Sequence, residues 1–272
     1  SPDKELGSIS NYFVERYGFS PEAKILPWSG DNPCSMVGLG LDRDGDMAIS
    51  FGTSDTVFVR MNDIPEQSPE NGHIFCTPTG AYMALLCYSN GSLAREKVRD
   101  KYGLDWSSFN EAVARKPAGN NGGVMLSFPM PEITPHIGQS KERYVGISET
   151  DIDAQCRGIY EAHALAKKHH VSQMGLKPTC LKVTGGASKD TVFMQILADV
   201  FQCPVDRMDS ASSAAIGAAL VAAKTIMGEK ALTKLRLDIT KASHRLEPDS
   251  KTKEIYKELL ALYEKTEKEI VS

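Results

Sequence analysis

Residues 179–205 read TCLKVTGGASKDTVFMQILADVFQCPV, a pattern typical of a strand, a glycine turn and a helix. The apolar run at residues 180–183 predicts a buried strand that ends at Gly185 and Gly186. Apolar residues then recur at helical spacing as far as Phe201. The glycines would let a ligand approach the backbone, and the start of the helix would offer free N–H groups to an anion. A nucleotide would suit this geometry. The pattern alone favours an ordinary βα turn, because it lacks the spaced glycines of a dinucleotide site and the GK[ST] of a P-loop.

Length, charge and cysteine usage indicate an ordinary globular protein. The 272 residues suffice for one large or two small domains, and the six cysteines are scattered without a C-x-x-C pair. We therefore expect reduced thiols in a cytoplasmic protein and no metal bound by cysteine. The net charge of −4 and the pI near 5.9 give no reason to expect a nucleic acid or an anionic membrane as partner. No apolar run approaches the ~20 residues of a membrane span. The polar first residues carry no signal peptide and no initial Met, which predicts a fragment or a trimmed chain.

A second glycine-containing stretch surrounds Asp31. Gly30, Asp31 and Asn32 precede Pro33, and proline fits the first turn of a helix. We therefore expect a helix to begin here, with Asp31 at or just before its N-cap. A capping aspartate is a common structural feature. The alternative is a carboxylate held at the bottom of a cleft, and this stretch alone favours the cap.

Two apolar runs predict a β-hairpin. Residues 47–51 and 56–60 read as strands, and the turn between them contains Gly52, Thr53 and Ser54. The tip of the hairpin would present a glycine N–H and two hydroxyls. These groups fit either an ordinary polar hairpin tip or a turn that faces phosphates.

The rest of the chain continues to mix strands and helices. Further strands are predicted at residues 73–76, 82–87, 124–128 and 205–208, and residues 117–146 otherwise read as irregular. A short helix capped by Asp105 contains Trp106 and Phe109. The other helices are predicted at residues 8–17, 90–100, 149–175, 191–201, 212–228 and 250–271. This order predicts an α/β fold with a mixed sheet flanked by helices.

Three helices carry further expectations. The many small residues at 212–228 predict close packing against a sheet or another helix. Residues 167–170 are two lysines and two histidines, and they predict a solvated face rather than a metal site. The buried stripe predicted for the last helix comprises Ile255, Leu259, Leu262 and Ile270. Along one face, the helix at 149–175 carries Ile152, Cys156, Ile159, His163 and Ala166.

Three stretches stand in order along the chain: Gly30-Asp31-Asn32, Ser50-Phe51-Gly52-Thr53-Ser54-Asp55-Thr56 and Thr184-Gly185-Gly186-Ala187-Ser188. In this order they resemble the FGGY family of carbohydrate kinases, which have the actin-like (ribonuclease-H-like) ATPase fold. Within the family the chain is most similar to the eukaryotic-type xylulose kinases, as seen at Gly72-His73-Ile74-Phe75-Cys76 and Tyr82-Met83-Ala84-Leu85-Leu86-Cys87. Each motif alone is modest, whereas the ordered set is specific. The resemblance extends from about Tyr17 to the last helix.

The resemblance implies two actin-like domains with a cleft between them. Residues 45–272 would be the C-terminal, nucleotide-binding domain. Residues 1–44 would be the last segment of the N-terminal domain and would carry the catalytic Asp31. The rest of the N-terminal domain, with its phosphate hairpin and most of the sugar-binding residues, would be a partner outside this sequence.

The same resemblance implies roles for individual residues. Asp31 would be the catalytic base that accepts a proton from the sugar hydroxyl as that oxygen attacks the γ-phosphorus. A helix N-terminus would favour the charged form of this carboxylate. Asn32 would hydrogen-bond the sugar. Gly52, Thr53 and Ser54 would donate hydrogen bonds to the β- and γ-phosphates of ATP.

The adenosine end of the site follows from the resemblance as well. Two glycines would make room for the nucleotide, and three polar residues would line its ribose and adenine: Gly185, Gly186, Ser188, Lys189 and Asp190. Trp106 falls where xylulose kinases place an aromatic residue near the adenine, with core packing as the alternative. Mg²⁺ is implied together with ATP, and the sequence offers it no dedicated ligand other than Asp31, acting through water.

The resemblance therefore implies ATP-dependent phosphorylation of D-xylulose to D-xylulose 5-phosphate, with this chain as a C-terminal part that is inactive alone. One alternative is another kinase of the family, acting on ribulose, gluconate or glycerol. A second alternative is a non-catalytic actin-like nucleotide-binding module. The similarity at residues 72–87 favours xylulose, and the joint presence of Asp31, Thr53 and Gly186 argues against a decayed module.

Overall fold

A seven-stranded mixed sheet forms the centre of the molecule. The computed structural model describes residues 4–27, 29–65, 71–209, 212–228 and 241–271. Two stretches whose composition predicts loops lie partly outside these ranges: residues 62–71, rich in Pro, Glu and Asn, and the polar stretch before the last helix. From one edge to the other, the strands are β11 (His244–Leu246), β10 (Val205–Arg207), β9 (Leu181–Gly185), β3 (Met47–Phe51), β4 (Asp55–Met61), β6 (Tyr82–Tyr88) and β5 (His73–Cys76).

The pairing of β9 with β3 decides where the glycine turns meet. Strand β9 runs parallel to both β3 and β10, and the other neighbouring strands of the sheet are antiparallel. In the β3–β9 register Phe51 lies opposite Gly185. Because parallel strands end at the same edge of a sheet, the turns that begin at Gly52 and Gly186 emerge side by side.

Eight helices are described, and aspartates cap several of them. The helices are α1 (Asn11–Tyr17), α2 (Asp31–Gly38), α3 (Ser92–Lys101), α4 (Trp106–Arg115), α5 (Ile152–Gln173), α6 (Thr191–Phe201), α7 (Ser213–Met227) and α8 (Lys253–Val271). The Asp105 carboxylate accepts a hydrogen bond from the backbone N–H of Ser108, as predicted, and Asp151 accepts one from Ala154. Such caps satisfy N–H groups that have no partner within the helix.

The sheet is covered by helices on both faces, which confirms the predicted α/β architecture. Alternate residues of each strand point to opposite faces, so Ile49 packs in the main core with α3, α4, α5, α6 and α8. Its neighbour Ala48 belongs to a second core with Met36 and Leu39 from α2 and its C-terminal end. Two small antiparallel pairs lie outside the sheet: β1 (Gly7–Ser8) with β2 (Lys24–Ile25), and β7 (Val124–Phe128) with β8 (Lys141–Val145).

Helices α2 and α7 cross in close contact, as the small residues of α7 predicted. A Cβ atom added at Gly38 would collide with the carbonyl oxygen of Ser213, and one added at Gly217 would collide with that of Cys34. At the C-terminal end of α2, the Lys182 ammonium donates hydrogen bonds of 2.8 Å to the carbonyl oxygens of residues 39 and 40. Both contacts fix α2 to the body of the fold.

Two predictions from the sequence need correction. Residues 117–146 form a β-hairpin rather than one strand, because the mostly polar β8 pairs with the fully buried β7. The buried stripe of α8 is rotated: Tyr256 and Tyr263 are buried, whereas Ile255 is 43% exposed. Ile152, at the start of α5, is likewise 41% exposed. Terminal turns face solvent on more sides than the helix centre does, so periodicity alone misplaces such residues.

The predicted solvated face at residues 167–170 is wrong for Lys167, His169 and His170, which are all buried. Glu267 of α8 lies against both histidines: its Oε1 is 3.0 Å from His170 Nε2 and 3.4 Å from His169 Nε2. The Tyr263 hydroxyl donates to its other oxygen at 2.7 Å. His169, His170 and Glu267 have potential metal-ligand atoms within 4.8 Å of one another. Their contacts are hydrogen bonds that join α5 to α8, and we call these three residues the clasp.

The clasp is strongest in mildly acidic solution. Burial raises the pKa of Glu267, but hydrogen bonds from His169 and His170 outweigh burial and lower the pKa to about 2. Burial lowers the pKa of His169, yet its contacts with Glu267 and Glu264 leave the pKa raised. The Glu267 contribution is therefore lost as the pH falls below about 4.3, and the His169 contribution is lost as the pH rises above about 6.5.

We expect Glu267→Gln to lower the free energy of unfolding by about 3 kcal/mol near pH 5.5, because it breaks a buried ion pair. The difference from the unmodified protein should shrink as the pH falls from about 4.3 through about 2, the pKa of Glu267 in the folded protein, because both proteins then approach a neutral side chain. Urea unfolding across this range measures it. The matched control is Glu264→Gln, whose side chain is 39% exposed. A difference that does not change with pH would contradict the clasp.

Candidate active site

A cleft of about 550 Å³ lies at the edge of the sheet where β3 and β9 end. Five of the residues predicted to bind nucleotide line it: Gly52, Trp106, Gly186, Lys189 and Asp190. The other lining residues are Phe51, Ser92, Arg95, Glu96, Asn110, Tyr160 and Ala187. We call this the larger cleft. It brings together residues from β3, from the turn that follows β9, and from helices α3, α4 and α5.

Gly185 and Gly186 have different structural roles. Gly185 has a φ of +88°, and a Cβ atom built on it would collide with the carbonyl oxygen of Phe51 on the adjacent strand. A side chain is therefore excluded there by the sheet itself. Gly186 lines the larger cleft, and nothing lies within 4 Å of a Cβ atom built on it. Only Gly186 keeps space open for a ligand.

The polar residues that follow the glycines hold the turn together. Ser188 is buried, and its hydroxyl donates a 2.7 Å hydrogen bond to the carbonyl of Gly185, so it closes the turn. One oxygen of Asp190 accepts from the first N–H groups of α6, and the other accepts from the Tyr160 hydroxyl at 2.6 Å. Lys189 is exposed at the cleft. Of the three residues, Ser188 alone does not line the cleft.

Trp106 stands at the wall of the larger cleft rather than in the core. It is 39% exposed, whereas Phe109, almost one turn later on α4, is fully buried and anchors that helix. The two rings meet edge to face with centroids 5.5 Å apart. The Arg99 guanidinium lies 4.6 Å from the centroid of the Trp106 ring. Of the two interpretations of Trp106, the geometry favours a cleft residue that offers a flat aromatic surface.

The hairpin turn presents Gly52, Thr53 and Ser54 to solvent, and all three are exposed. The turn is held from behind, because the backbone N–H of Ser92, the first residue of α3, donates to the carbonyl of Gly52 at 3.0 Å. Thr53 and Ser54 do not themselves line the larger cleft, which the turn borders through Gly52.

Asp31 lines a second, smaller cleft of about 310 Å³. It is exposed and is the first residue of α2, one position inside the helix, with Gly30 as the N-cap. Its Oδ1 accepts a hydrogen bond of 2.8 Å from the backbone N–H of Asn32. Alanines of α7 form the opposite wall, including Ala214 and Ala218. Asp31 and the predicted nucleotide residues therefore line two separate clefts.

Several cleft residues were not predicted. Tyr160 lies on α5, which is buried on almost all sides, so no periodic pattern distinguishes the residue that reaches the cleft. Burial, together with the charge of Asp190, raises the pKa of its phenol, which therefore stays protonated and donates to Asp190. Arg95 and Glu96 stand on the first turns of α3, a charged helix that reads as a solvated surface.

The domain model for "FGGY family of carbohydrate kinases, C-terminal domain" matches residues 47–226. The chain belongs to the FGGY family. Residues 47–226 contain the larger cleft and both glycine turns, which confirms the resemblance found in the sequence.

Known proteins support this membership. The chain is 38% identical to a xylulose kinase of Rattus norvegicus over 278 residues, an alignment that covers 98% of this chain and 51% of the relative. The chain thus spans about half the length of these curated relatives. A ligand-bound xylulose kinase structure from Lactobacillus acidophilus has a TM-score of 0.87 at 20% identity, covering 100% of this chain and 57% of the other. A gluconate kinase from the same organism has a TM-score of 0.84 at 20% identity, with the same coverage.

These solved structures confirm the predicted actin-like ATPase fold. They are similar over the whole of this chain, including the segment before residue 47. Within the described ranges, no helix combines the length and the apolar character that a bilayer crossing requires.

The two glycines allow a matched test of the turn. We expect Gly185→Ala to lower the free energy of unfolding by about 3 kcal/mol, because it adds both a collision with a strand carbonyl and a strained positive φ. Gly186→Ala is the control and should change it by less than about 0.5 kcal/mol, since its Cβ would meet open space. Denaturant unfolding measures the free energy of unfolding of both variants. Equal decreases for the two variants would contradict the described turn.

Proposed function

We propose that the protein to which this chain belongs transfers the γ-phosphoryl group of ATP to D-xylulose. Family membership and the 38% identity to a protein named xylulose kinase support this proposal. The observation that carries it is the parallel pairing of β3 and β9, which brings the donor-rich turn at Gly52 beside the open turn at Gly186 in one cleft. A triphosphate at the first turn and an adenosine at the second would be parts of one nucleotide.

The larger cleft offers different chemistry at its two ends. Trp106 and the open backbone at Gly186 would accept the flat adenine, and Lys189 and Asp190 would lie beside the ribose. Backbone N–H groups and the hydroxyls of Thr53 and Ser54 would donate to the β- and γ-phosphates. Because phosphoryl transfer needs mainly positioning and charge stabilisation, fixed donors at the phosphates are the main contribution of this domain.

Asp31 would act as the general base. It is an exposed carboxylate at the start of a helix that is fixed to the fold, so its position is defined. It would accept the proton of the attacking sugar hydroxyl. Asn32, the next residue of α2, would hydrogen-bond the sugar.

Mg²⁺ would enter with the nucleotide. The smaller cleft has Asp31 as its sole lining carboxylate among the described residues, so it fits a metal that keeps phosphate oxygens and waters as its other ligands. Bound there, the ion would neutralise phosphate charge. The protein's own contribution would be to orient one water-bridged carboxylate.

The two clefts would be joined by an N-terminal domain. Helix α1 has no buried residue, and Tyr12, Phe13 and Tyr17 are each at least 44% exposed. We infer that residues 1–44 complete that domain, and that it supplies the phosphate hairpin and most sugar contacts. The six free, scattered cysteines fit a reducing compartment such as the cytoplasm.

In the full-length protein, Asp31→Asn should lower kcat by about 100- to 10,000-fold, the usual contribution of a general base. The Kd for ATP should stay nearly unchanged, because Asp31 lies outside the larger cleft. Asp63→Asn, another exposed aspartate, is the control. A coupled ADP-release assay with xylulose, ribulose, gluconate and glycerol also identifies the sugar. Intact turnover by the variant would favour a non-catalytic role for this domain.

The 272-residue chain alone should bind ATP weakly and show no xylulose-dependent ADP release, because the second wall of the site is elsewhere. Gly186→Ala should fold normally and weaken ATP binding at least tenfold, because its methyl group would occupy the space reserved for the nucleotide. Isothermal titration measures ATP binding by the chain and by the variant, and a coupled assay measures ADP release. Robust turnover by the chain alone would show that the N-terminal domain is not required.

A further inference from the structure

A buried carboxylate lies directly behind the turn of Gly52, Thr53 and Ser54. Asp55, the next residue, has no exposed surface. Its Oδ2 accepts hydrogen bonds from Arg95 Nη1 at 3.1 Å and from Lys167 Nζ at 2.9 Å, and its Oδ1 accepts one from Arg95 Nη2 at 3.3 Å. One side chain thus ties β4 to α3 and α5.

Two cations meet this single carboxylate. Burial raises the pKa of Asp55, but Lys167 and Arg95 outweigh burial and hold the pKa well below its usual range. Burial, with the neighbouring cations, keeps His163 neutral by lowering its pKa, so its Nδ1 accepts a 2.8 Å hydrogen bond from Arg95. Asp55, Arg95 and Lys167 therefore carry a net positive charge behind the turn. Aromatic faces also hold the cations: Arg95 lies 5.3 Å from the Phe193 ring centroid.

The turn of residues 52–54 packs tightly against the start of α3. A Cβ atom built on Gly91, just before that helix, would lie 2.7 Å from Asp55 N, from Asp55 Oδ1 and from the carbonyl oxygen of Thr53. The first N–H of α3 binds Gly52, and Arg95 of the same helix lines the larger cleft. The Ser92 N–H holds one flank of the turn and the Asp55 ion pairs hold the other, so both flanks are fixed to α3.

We propose that Asp55 is a positioning residue for polyphosphate binding. Its ion pairs hold the N–H groups and hydroxyls of residues 52–54 in one arrangement, so that these donors meet a phosphate chain already in place. The inference rests on the proposed ATP cleft. It predicts that Asp55 affects the phosphates of a ligand and not its nucleoside.

The test compares ATP, ADP and adenosine binding by isothermal titration to the full-length protein. Asp55→Asn should lower the affinity for ATP at least tenfold and the affinity for ADP by a smaller factor. The affinity for adenosine should change by less than twofold. Glu161→Gln is the matched control, since Glu161 is also buried and paired with an arginine but lies outside the cleft. It should leave the ratio of ATP to adenosine affinity unchanged, whatever its cost in stability.

Gly91→Ala gives a second, steric perturbation that removes no charge and decides the matter if Asp55→Asn does not fold. The added methyl group would displace the same turn, so it should also lower the affinity for ATP relative to the affinity for adenosine. Equal weakening of ATP and adenosine, or no weakening of ATP, would overturn the positioning role. If the unmodified protein binds adenosine but not ATP, or neither, the proposed function fails instead.

Discussion

The site depends on one constraint, the parallel pairing of β3 with β9. With Phe51 opposite Gly185, the two strands end at the same edge, and each is followed at once by a glycine turn. The backbones are so close there that a methyl group on Gly185 would strike the Phe51 carbonyl. The same backbone contact thus sets how far apart the turns that begin at Gly52 and Gly186 lie.

Around this pair, interior contacts position groups that face solvent. One carboxylate oxygen of Asp190 caps α6, and the other accepts a hydrogen bond from Tyr160, so a residue that lines the cleft is also a helix cap. Lys182, on β9, binds the C-terminal carbonyls of the helix that begins at Asp31. The strand that leads to Gly186 therefore also holds the helix whose first residue is Asp31, the proposed general base.

Local patterns were sufficient for most strands and helices and for the glycine turns, because apolar periodicity and turn residues act over short distances, but they missed the mostly polar β8. Contacts between distant residues were not predictable in this way. His170 looks like part of a solvated charged run, and only Glu267, 97 residues later, accounts for its burial. Asp55 reads as a hairpin residue until Lys167, 112 residues away, meets it. The order of β9 beside β3 likewise depends on packing across the whole chain.

The resemblance supplied the roles, and the structure distinguished among them. Both glycines were expected to make room for a nucleotide, yet Gly185 is required by the sheet and Gly186 alone borders the cleft. Ser188 was expected at the ribose, yet its hydroxyl closes the turn. Such distinctions depend on which atoms lie within a few ångströms, which motif matching does not reveal.

The most direct measurement is a crystal structure of the chain with a non-hydrolysable ATP analogue and Mg²⁺. The account predicts adenine between Trp106 and Gly186, with the β- and γ-phosphates at the N–H groups of residues 52–54. An analogue bound in the Asp31 cleft, or one whose phosphates point away from the turn at Gly52, would contradict it.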